Sequence, residues 1–528
     1  MRRGGDDMTL LKMEELSIEQ KLGMVFCARR FEEEDIAFTI EMIKKRALGC
    51  VQLPAHRKDV IERILAVADY PILVFNDTEM GFPISELPHV QLMSLAACDK
   101  PEYYHAFARG IVRDAKKAGY NGTWGPVIDV LRGDGPCRVY RHFSDVPQKV
   151  AEAAEQMAKI YKQNHYLSTG KHYPGGHTSI FDTHMAEEVS DLTEEELIKT
   201  DLMPYIYLHK KGLLPCIMTG HSVYPKIDPD YPASLSKKVI DIIRRLGFDG
   251  VTFTDSFAMM GILQKYGEEN IYGMAIAAGN DIVLPNFRLP TKACFEMLVK
   301  NYRDGTFSEE RLNEAVRRVL AAQAFVAEEP ENPTTFTEAD RETLNAVARD
   351  CITAITDPGV DAALPEDNKD RIFIIVTENV FDVNADNPET DVAYWYHPER
   401  IAKKIRQEFP EAGIAFIPEF SGQKDNDRTL SEASKYKEAV FVTFCTTTSY
   451  LGTDGLTRRT ESVVNSLIQS GKVSAILHFG NPYALQNIHH VPRRIFGYMI
   501  SDSQIHAIDV LAGKLEAKGH MPYEVVLP

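Results

Sequence analysis

The sequence predicts an α/β fold, a (β/α)8-type barrel followed by a smaller α/β domain. Three observations carry that expectation. Short apolar runs recur along the first 300 or so residues, separated by stretches with helical periodicity. Several runs are unbroken rather than alternating, as in Ile72 to Phe75, which is the pattern of parallel strands covered on both faces. Polar residues gather just after the runs, where a barrel keeps its chemistry.

Taken in order, Ser17 opens the first amphipathic segment as an N-cap, with Gln20 three residues on. Eight runs follow, at 24–26, 49–53, 71–75, 121–124, 166–168, 216–218, 251–253 and 281–284. Between them lie segments such as Val239 to Leu246, amphipathic and stopped by Gly247. The polar groups after the runs are Asn76, Asp77 and Glu79, then Asp129, Lys171 with His172, His221, Asp255 and Asn286. A doubly wound open sheet also alternates strand and helix. Eight units with polar ends favour the barrel. The Ala-rich periodic stretch Glu310 to Ala327 runs into EEPENPTTFTEAD, acidic with two prolines. That is the natural boundary. It divides the chain into a barrel at 1–328, a linker at 329–345 and a second domain at 346–528. In the second domain strands are expected at 371–376, 413–417, 439–443 and 474–479.

The totals narrow the function. At 528 residues two or three domains are expected. A net charge of −17 argues against nucleic acid or an anionic membrane as partner. No run approaches the roughly 18 apolar residues of a membrane span. The N-terminal MRRGGDDMTLLKMEELSIEQ has no apolar region after its basic residues, so no secretory signal is read. The eight cysteines, at 27, 50, 98, 137, 216, 294, 351 and 445, show no ligand spacing. Buried free thiols in a reducing cytoplasm are expected.

The chemistry concentrates in GKHYPGGHTSIFDTHMAEEVSD, Gly170 to Asp191. Pro174, Gly175 and Gly176 exclude a regular helix, so this is a loop carrying ionisable groups. Within it Asp182 and His184 stand two apart and project to one side of an extended segment. A carboxylate beside an imidazole makes an acid/base unit, although a surface turn carries the same pair. Asp255 ends the apolar run GVTFT, as a nucleophile or as the cap of the next helix. Lys171, His172, Asp77 and His221 are candidates to hydrogen-bond a polyhydroxylated ligand. Structural roles compete for each. The His and Asp spacings match no metal motif, so neither metal nor cofactor is expected.

Together these segments resemble glycoside hydrolase family 3, in its β-N-acetylglucosaminidase branch. KHYPGGHTSIFDTH is similar to that branch's KHFPGHG…D-S/T-H loop. MTGHSVYPKIDPDYPASLSKKVIDIIRRLGFDGVTFTDSFAM is similar to its MTAHIVYPALDP…PATLS…LGFDGVVFTDDLSM block. PVIDV, RHFSD, AAGNDIVL and HFGNPYAL resemble further family segments. The resemblance implies a barrel followed by an α/β sandwich domain, and retaining cleavage through a covalent glycosyl-enzyme. It implies Asp255 as nucleophile, His184 as general acid/base and Asp182 as its partner. It also implies sugar contacts from Lys171, His172, Asp77 and Arg141. NDTEMGFPIS departs from DQEGGRVxR, His177 lies one place later than the family histidine, and Ser256 stands where a second Asp is typical.

The leading expectation is an exo-acting β-N-acetylglucosaminidase taking GlcNAc from cytoplasmic peptidoglycan fragments or chitin oligosaccharides. Phosphate as acceptor, on a glucosaminide or a glucoside, is the alternative. A saccharide-binding pseudoenzyme is the third. The partners expected are a small saccharide and, as an assembly, a homodimer.

Overall fold

The computed structural model describes residues 8–132, 139–177, 182–365, 368–378, 395–445 and 455–525. The chain forms two compact units, one of residues 1–88, 104–132 and 146–341, the other of 89–103, 133–145 and 342–528. Two segments from the first third of the chain thus belong with its C-terminal part.

The first unit is a barrel. Its strands are β1 (Cys27–Ala28), β2 (Cys50–Gln52), β3 (Leu73–Asn76), β4 (Gly122–Thr123), β5 (Thr169–Tyr173) and β6 (Cys216–Thr219). A small hairpin of β7 (Val223–Tyr224) and β8 (Asp228–Pro232) intervenes before β9 (Val251–Ser256) and β10 (Ile282–Leu284). Hydrogen bonds order the strands β1-β2-β3-β4 and β10-β9-β6-β5, parallel throughout. Parallel bridges at Phe26–Val283, Gly122–Leu167 and Val127–Lys171 close the ring. Two predicted runs sit just before their strands. Leu167 makes only the bridge to Gly122, and β5 begins at Thr169. Phe26 bridges Val283 ahead of β1.

Side chains fill the interior. The Phe75, Trp124 and Phe253 rings meet with centroids 5.2 to 6.2 Å apart. Gly122 makes this packing feasible, because a Cβ there would stand 2.3 Å from the Phe75 ring. At the opposite end from the strand C-termini, buried Asp281 accepts from Arg244 (2.8 Å), Arg311 (2.5 Å) and Arg318 (3.1 Å). It also accepts from the Thr252 amide at 3.0 Å, tying β10 to β9.

The second unit is built on one sheet of β11 (Thr353–Thr356), β12 (Arg371–Thr377), β13 (Gly413–Pro418), β14 (Glu438–Phe444), β15 (Val473–Phe479) and β16 (Arg493–Phe496). The order is β11-β16-β15-β14-β12-β13, with only β11 antiparallel. Leaving β11 aside, this is a doubly wound arrangement. Ile372 to Val376 are at most 1 % exposed, which explains their unbroken apolar run. β11 and β16 have no counterpart among the predicted strands. The described cysteines are buried free thiols; Cys137 lies outside the described residues. Among the described residues, no helix is long and apolar enough to cross a membrane.

Asp281 is the one carboxylate that three guanidiniums share at the barrel base. Its replacement by Ala leaves those cations without their common partner. Asp281→Ala is expected to destabilise the protein by about 3 kcal/mol, read as a lowered urea midpoint. An unchanged midpoint would show the cluster to be energetically idle.

Candidate active site

The strand C-termini of the barrel bring the ionisable residues together. Lys171, near the end of β5, is 3 % exposed. Its ammonium is 2.6 Å from Asp77 Oδ1 and 2.6 Å from Glu79 Oε1, both just beyond β3. A buried ammonium needs such partners. Asp77 keeps half of its side chain exposed, so one face of the pair is open to a ligand.

His172 is fixed by Asp129. Its backbone amide donates to Asp129 Oδ1 at 2.7 Å, and its Nδ1 is 2.8 Å from Asp129 Oδ2. The carboxylate can only accept, so Nδ1 carries the proton. Nε2 then faces Asp255 Oδ2 across 3.8 Å, beyond hydrogen-bond length.

Past β5 the chain reverses through Gly175 and Gly176, at φ +81° and +76°. A Cβ on Gly176 would also press on Leu192 at 2.8 Å. The reversal brings His177 back over the same carboxylate. Its Nδ1 is 2.7 Å from Glu188 Oε2 and its Nε2 is 3.7 Å from Asp129 Oδ2. Burial alone would lower the His177 pKa. The charges of Glu188 and Asp129 outweigh it and raise the pKa to about 10. Ser222 supplies Glu188 with a further hydrogen bond of 2.6 Å. Ligand atoms of Asp129, His172 and His177 lie within 4.8 Å of one another, a spacing that suits a metal ion. The Asp129 and Glu188 carboxylates take hydrogen bonds from the Nδ1–H groups of His172 and His177.

Asp255 stands at the end of β9 and accepts the Ser256 amide at 2.6 Å. Burial would raise its pKa. The facing His221 and His184 imidazoles, the Ser256 amide and the Lys171 ammonium prevail, and the pKa falls below the usual carboxylate value. Asp255 is therefore ionised at neutral pH. His221 spans the site from the end of β6. Its Nδ1 is 2.8 Å from Ser234 Oγ and its Nε2 is 3.1 Å from the Ser256 carbonyl. Nε2 must donate to that carbonyl, so the hydroxyl donates to Nδ1. The ring stacks on Phe257 at 5.5 Å. Burial lowers the His221 pKa despite Asp255, so the ring is neutral at neutral pH.

Asp182 and His184 form the expected pair. Asp182 is 1 % exposed. Its Oδ1 accepts from His184 Nδ1 at 2.7 Å and from the His184 amide at 3.0 Å. Proton transfer then falls to Nε2. His184 lies close enough to Asp255 to depress its pKa.

Of the residues singled out in the sequence, Asp77, Lys171, His172, Asp182, His184, His221 and Asp255 belong to the barrel unit. Arg141 is buried in the short helix Val139–Arg141 and belongs to the second unit. Three contributors were not foreseen in their roles: Asp129, Glu188 and Arg29. Asp129 was visible only as a polar residue after an apolar run. Arg29 follows such a run too. It donates to Ser256 Oγ at 2.6 Å, to Gln52 Oε1 at 2.6 Å and to the Pro285 carbonyl at 3.2 Å. It also faces the Phe287 ring at 5.4 Å. A serine at 256 therefore takes a hydrogen bond from the arginine beside the nucleophile candidate.

The family model described as the glycosyl hydrolase family 3 N terminal domain matches residues 17–322. A Cellulomonas fimi protein named beta-N-acetylglucosaminidase/beta-glucosidase is 28% identical over 331 residues, 59% of this chain and 58% of that protein. A beta-hexosaminidase of Xanthomonas oryzae pv. oryzae is 30% identical over 233 residues, 42% of this chain and 69% of its own. The chain thus spans under two thirds of the Cellulomonas relative's length. Among solved structures, a family 3 beta-N-acetylglucosaminidase from Paenibacillus sp. str. FPU-7 superposes with a TM-score of 0.78 at 20% identity. That match covers 97% of this chain and 100% of that one. A beta-glucoside phosphorylase superposes with a TM-score of 0.78 at 21% identity, covering 97% and 95%. At these identities the structures share the fold.

The charged state of His177 has a pH signature. A histidine in the unfolded chain titrates near 6.5, whereas the folded value is about 10. The folded state binds the proton more tightly, so this stabilisation is full below about pH 6.5 and fades as pH rises toward 10. His177→Gln is expected to lower Tm most near pH 6 and least near pH 10. A Tm deficit that does not vary with pH would contradict an imidazolium held by Glu188 and Asp129.

Proposed function

Because the chain belongs to glycoside hydrolase family 3, we propose that it is a retaining, exo-acting β-N-acetylglucosaminidase. One observation carries the reading. An ionised carboxylate, Asp255, stands at the barrel mouth within electrostatic reach of an imidazole that a buried carboxylate holds by Nδ1. Those are the two groups a retaining glycosidase needs, with histidine in place of the second carboxylate.

In the first step an Asp255 oxygen attacks the anomeric carbon while His184 Nε2 gives its proton to the departing oxygen. The glycosidic bond breaks and a glycosyl ester forms on Asp255. In the second step the neutral Nε2 takes a proton from water, whose oxygen attacks the same carbon and releases Asp255. Asp182 keeps the proton on Nδ1 and holds the ring so that Nε2 is the atom that gives and takes the proton. Asp77, Lys171 and His172 supply the donors and acceptors for sugar hydroxyls. The names of the relatives favour a terminal GlcNAc, and cytoplasmic peptidoglycan fragments or chitin oligosaccharides are the proposed sources.

A second reading has its own support. The only carboxylate of the acid/base pair is Asp182, which is buried behind the imidazole. An anionic acceptor is then less strongly repelled than by a carboxylate acid/base. Phosphate in place of water would attack the glycosyl ester and yield a sugar 1-phosphate.

Asp255→Ala is expected to abolish turnover of an aryl β-N-acetylglucosaminide, and retained turnover would sink the nucleophile assignment. His184→Ala is expected to cost kcat/KM about a hundredfold or more on alkyl glycosides and far less on dinitrophenyl glycosides, whose leaving group needs no proton. Equal losses would remove His184 from the acid role. Product analysis with and without phosphate separates the two acceptors: free GlcNAc in both buffers marks the hydrolase, and a phosphate-dependent sugar 1-phosphate marks the phosphorylase.

A further inference from the structure

The loop that carries His184 does not stand alone. The helix Met260–Tyr266 begins five residues after Asp255, and its first residue donates its backbone N–H to the His184 carbonyl at 2.8 Å. The second residue of that helix is Gly261. A Cβ on it would fall 2.7 Å from the Ala186 carbonyl oxygen, 2.9 Å from the Ala186 carbonyl carbon and 3.1 Å from the Glu187 nitrogen. All three are backbone atoms of the loop, so no side chain can swing aside. One turn further on, Lys265 reaches Glu187 at 3.3 Å.

The link from Asp255 to this helix is stiff. Phe257 and Ala258 are fully buried and Met259 is 3 % exposed. The Phe257 amide donates to the Leu284 carbonyl at 3.0 Å and the Met259 amide to the Ser256 carbonyl at 3.2 Å. The nucleophile and the seat of the His184 loop are thus two ends of one short, packed run.

We propose that Met260 and Gly261 are positioning residues for His184. The helix start is a seat that sets the distance between the acid/base imidazole and Asp255, by one backbone hydrogen bond and by the absence of a side chain at 261. The inference rests on the assignment of Asp255 and His184 in the proposed function. It adds that their separation is built into the chain segment that follows the nucleophile.

Each contact has its own variant. Met260→Pro deletes the N–H, together with a side chain that is 39 % exposed, and sets the ring Cδ against the His184 carbonyl oxygen. Proline is favoured at the first position of a helix, where its ring meets no preceding turn. Met259 is already extended, at φ −71° and ψ 130°, as a residue before proline must be. Gly261→Ala keeps the N–H and forces the loop away. In each variant kcat/KM is measured over a series of β-glycosides from dinitrophenyl to alkyl, with His184→Ala and Asp255→Ala alongside.

Misplacing an acid by about an ångström costs up to roughly a hundredfold. Both variants are therefore expected to lose roughly tenfold to a hundredfold on alkyl glycosides and little on dinitrophenyl glycosides. The plot of log kcat/KM against leaving-group pKa would steepen toward that of His184→Ala. A merely structural defect would lower every member of the series alike, and that result overturns the inference. So does a wild-type slope in folded Met260→Pro, even if Gly261→Ala does not fold. If His184→Ala itself leaves the slope unchanged, the parent assignment fails and this inference falls with it. A steepened His184→Ala with unmoved positioning variants refutes the seat alone.

Discussion

Three histidines of the site are held in the same way. A carboxylate grips Nδ1 of each: Asp129 for His172, Glu188 for His177 and Asp182 for His184. All three carboxylates are nearly inaccessible. A buried carboxylate without a proton donor is costly, and an imidazole with one nitrogen committed has its tautomer and ring plane decided. Each pair resolves both problems together. The rest of the site follows, because Nε2 of each ring is the atom presented to its neighbours.

The consequences differ with the surroundings. His177 lies between two carboxylates and stays charged, so it serves as a fixed cation that balances Asp129 and Glu188. His184 is gripped by Asp182 and lies near Asp255. His221 lacks any such grip. It is neutral, wedged between Ser234, the Ser256 carbonyl and Phe257 beside Asp255. One residue type is thus held as a cation in one place and as a neutral ring in another within a single barrel mouth.

The barrel scaffold makes such sorting possible. Eight parallel strands end on one face, so residues far apart in sequence arrive there without strain on the connecting helices. Asp129 and His172 meet because Val127 bridges Lys171 and the Ile128 amide donates to the Lys171 carbonyl. Gly122 and Gly176 matter for the same reason. Each allows a side chain to occupy space that its own Cβ would take.

Much of this was legible in the chain itself. Unbroken apolar runs announced strands covered on both faces, and polar residues after them marked the working face. Asp255 and the Asp182/His184 spacing stood out because a strand end and a two-residue offset are local properties. Short-range periodicity sets both, and no tertiary information is needed to read it. Asp129, Glu188 and Arg29 were different. Each is an ordinary polar residue in its own neighbourhood, and its meaning comes from hydrogen-bond partners 11 to 256 positions away. The grouping of 89–103 and 133–145 with the C-terminal unit is likewise invisible to composition, since no linker-like stretch marks it. Sequence by itself determined which segments become strands and which side chains lie near strand ends, because those depend on neighbours a few residues apart. Only the folded ring decided which carboxylate faces which imidazole, and therefore which histidine keeps its proton.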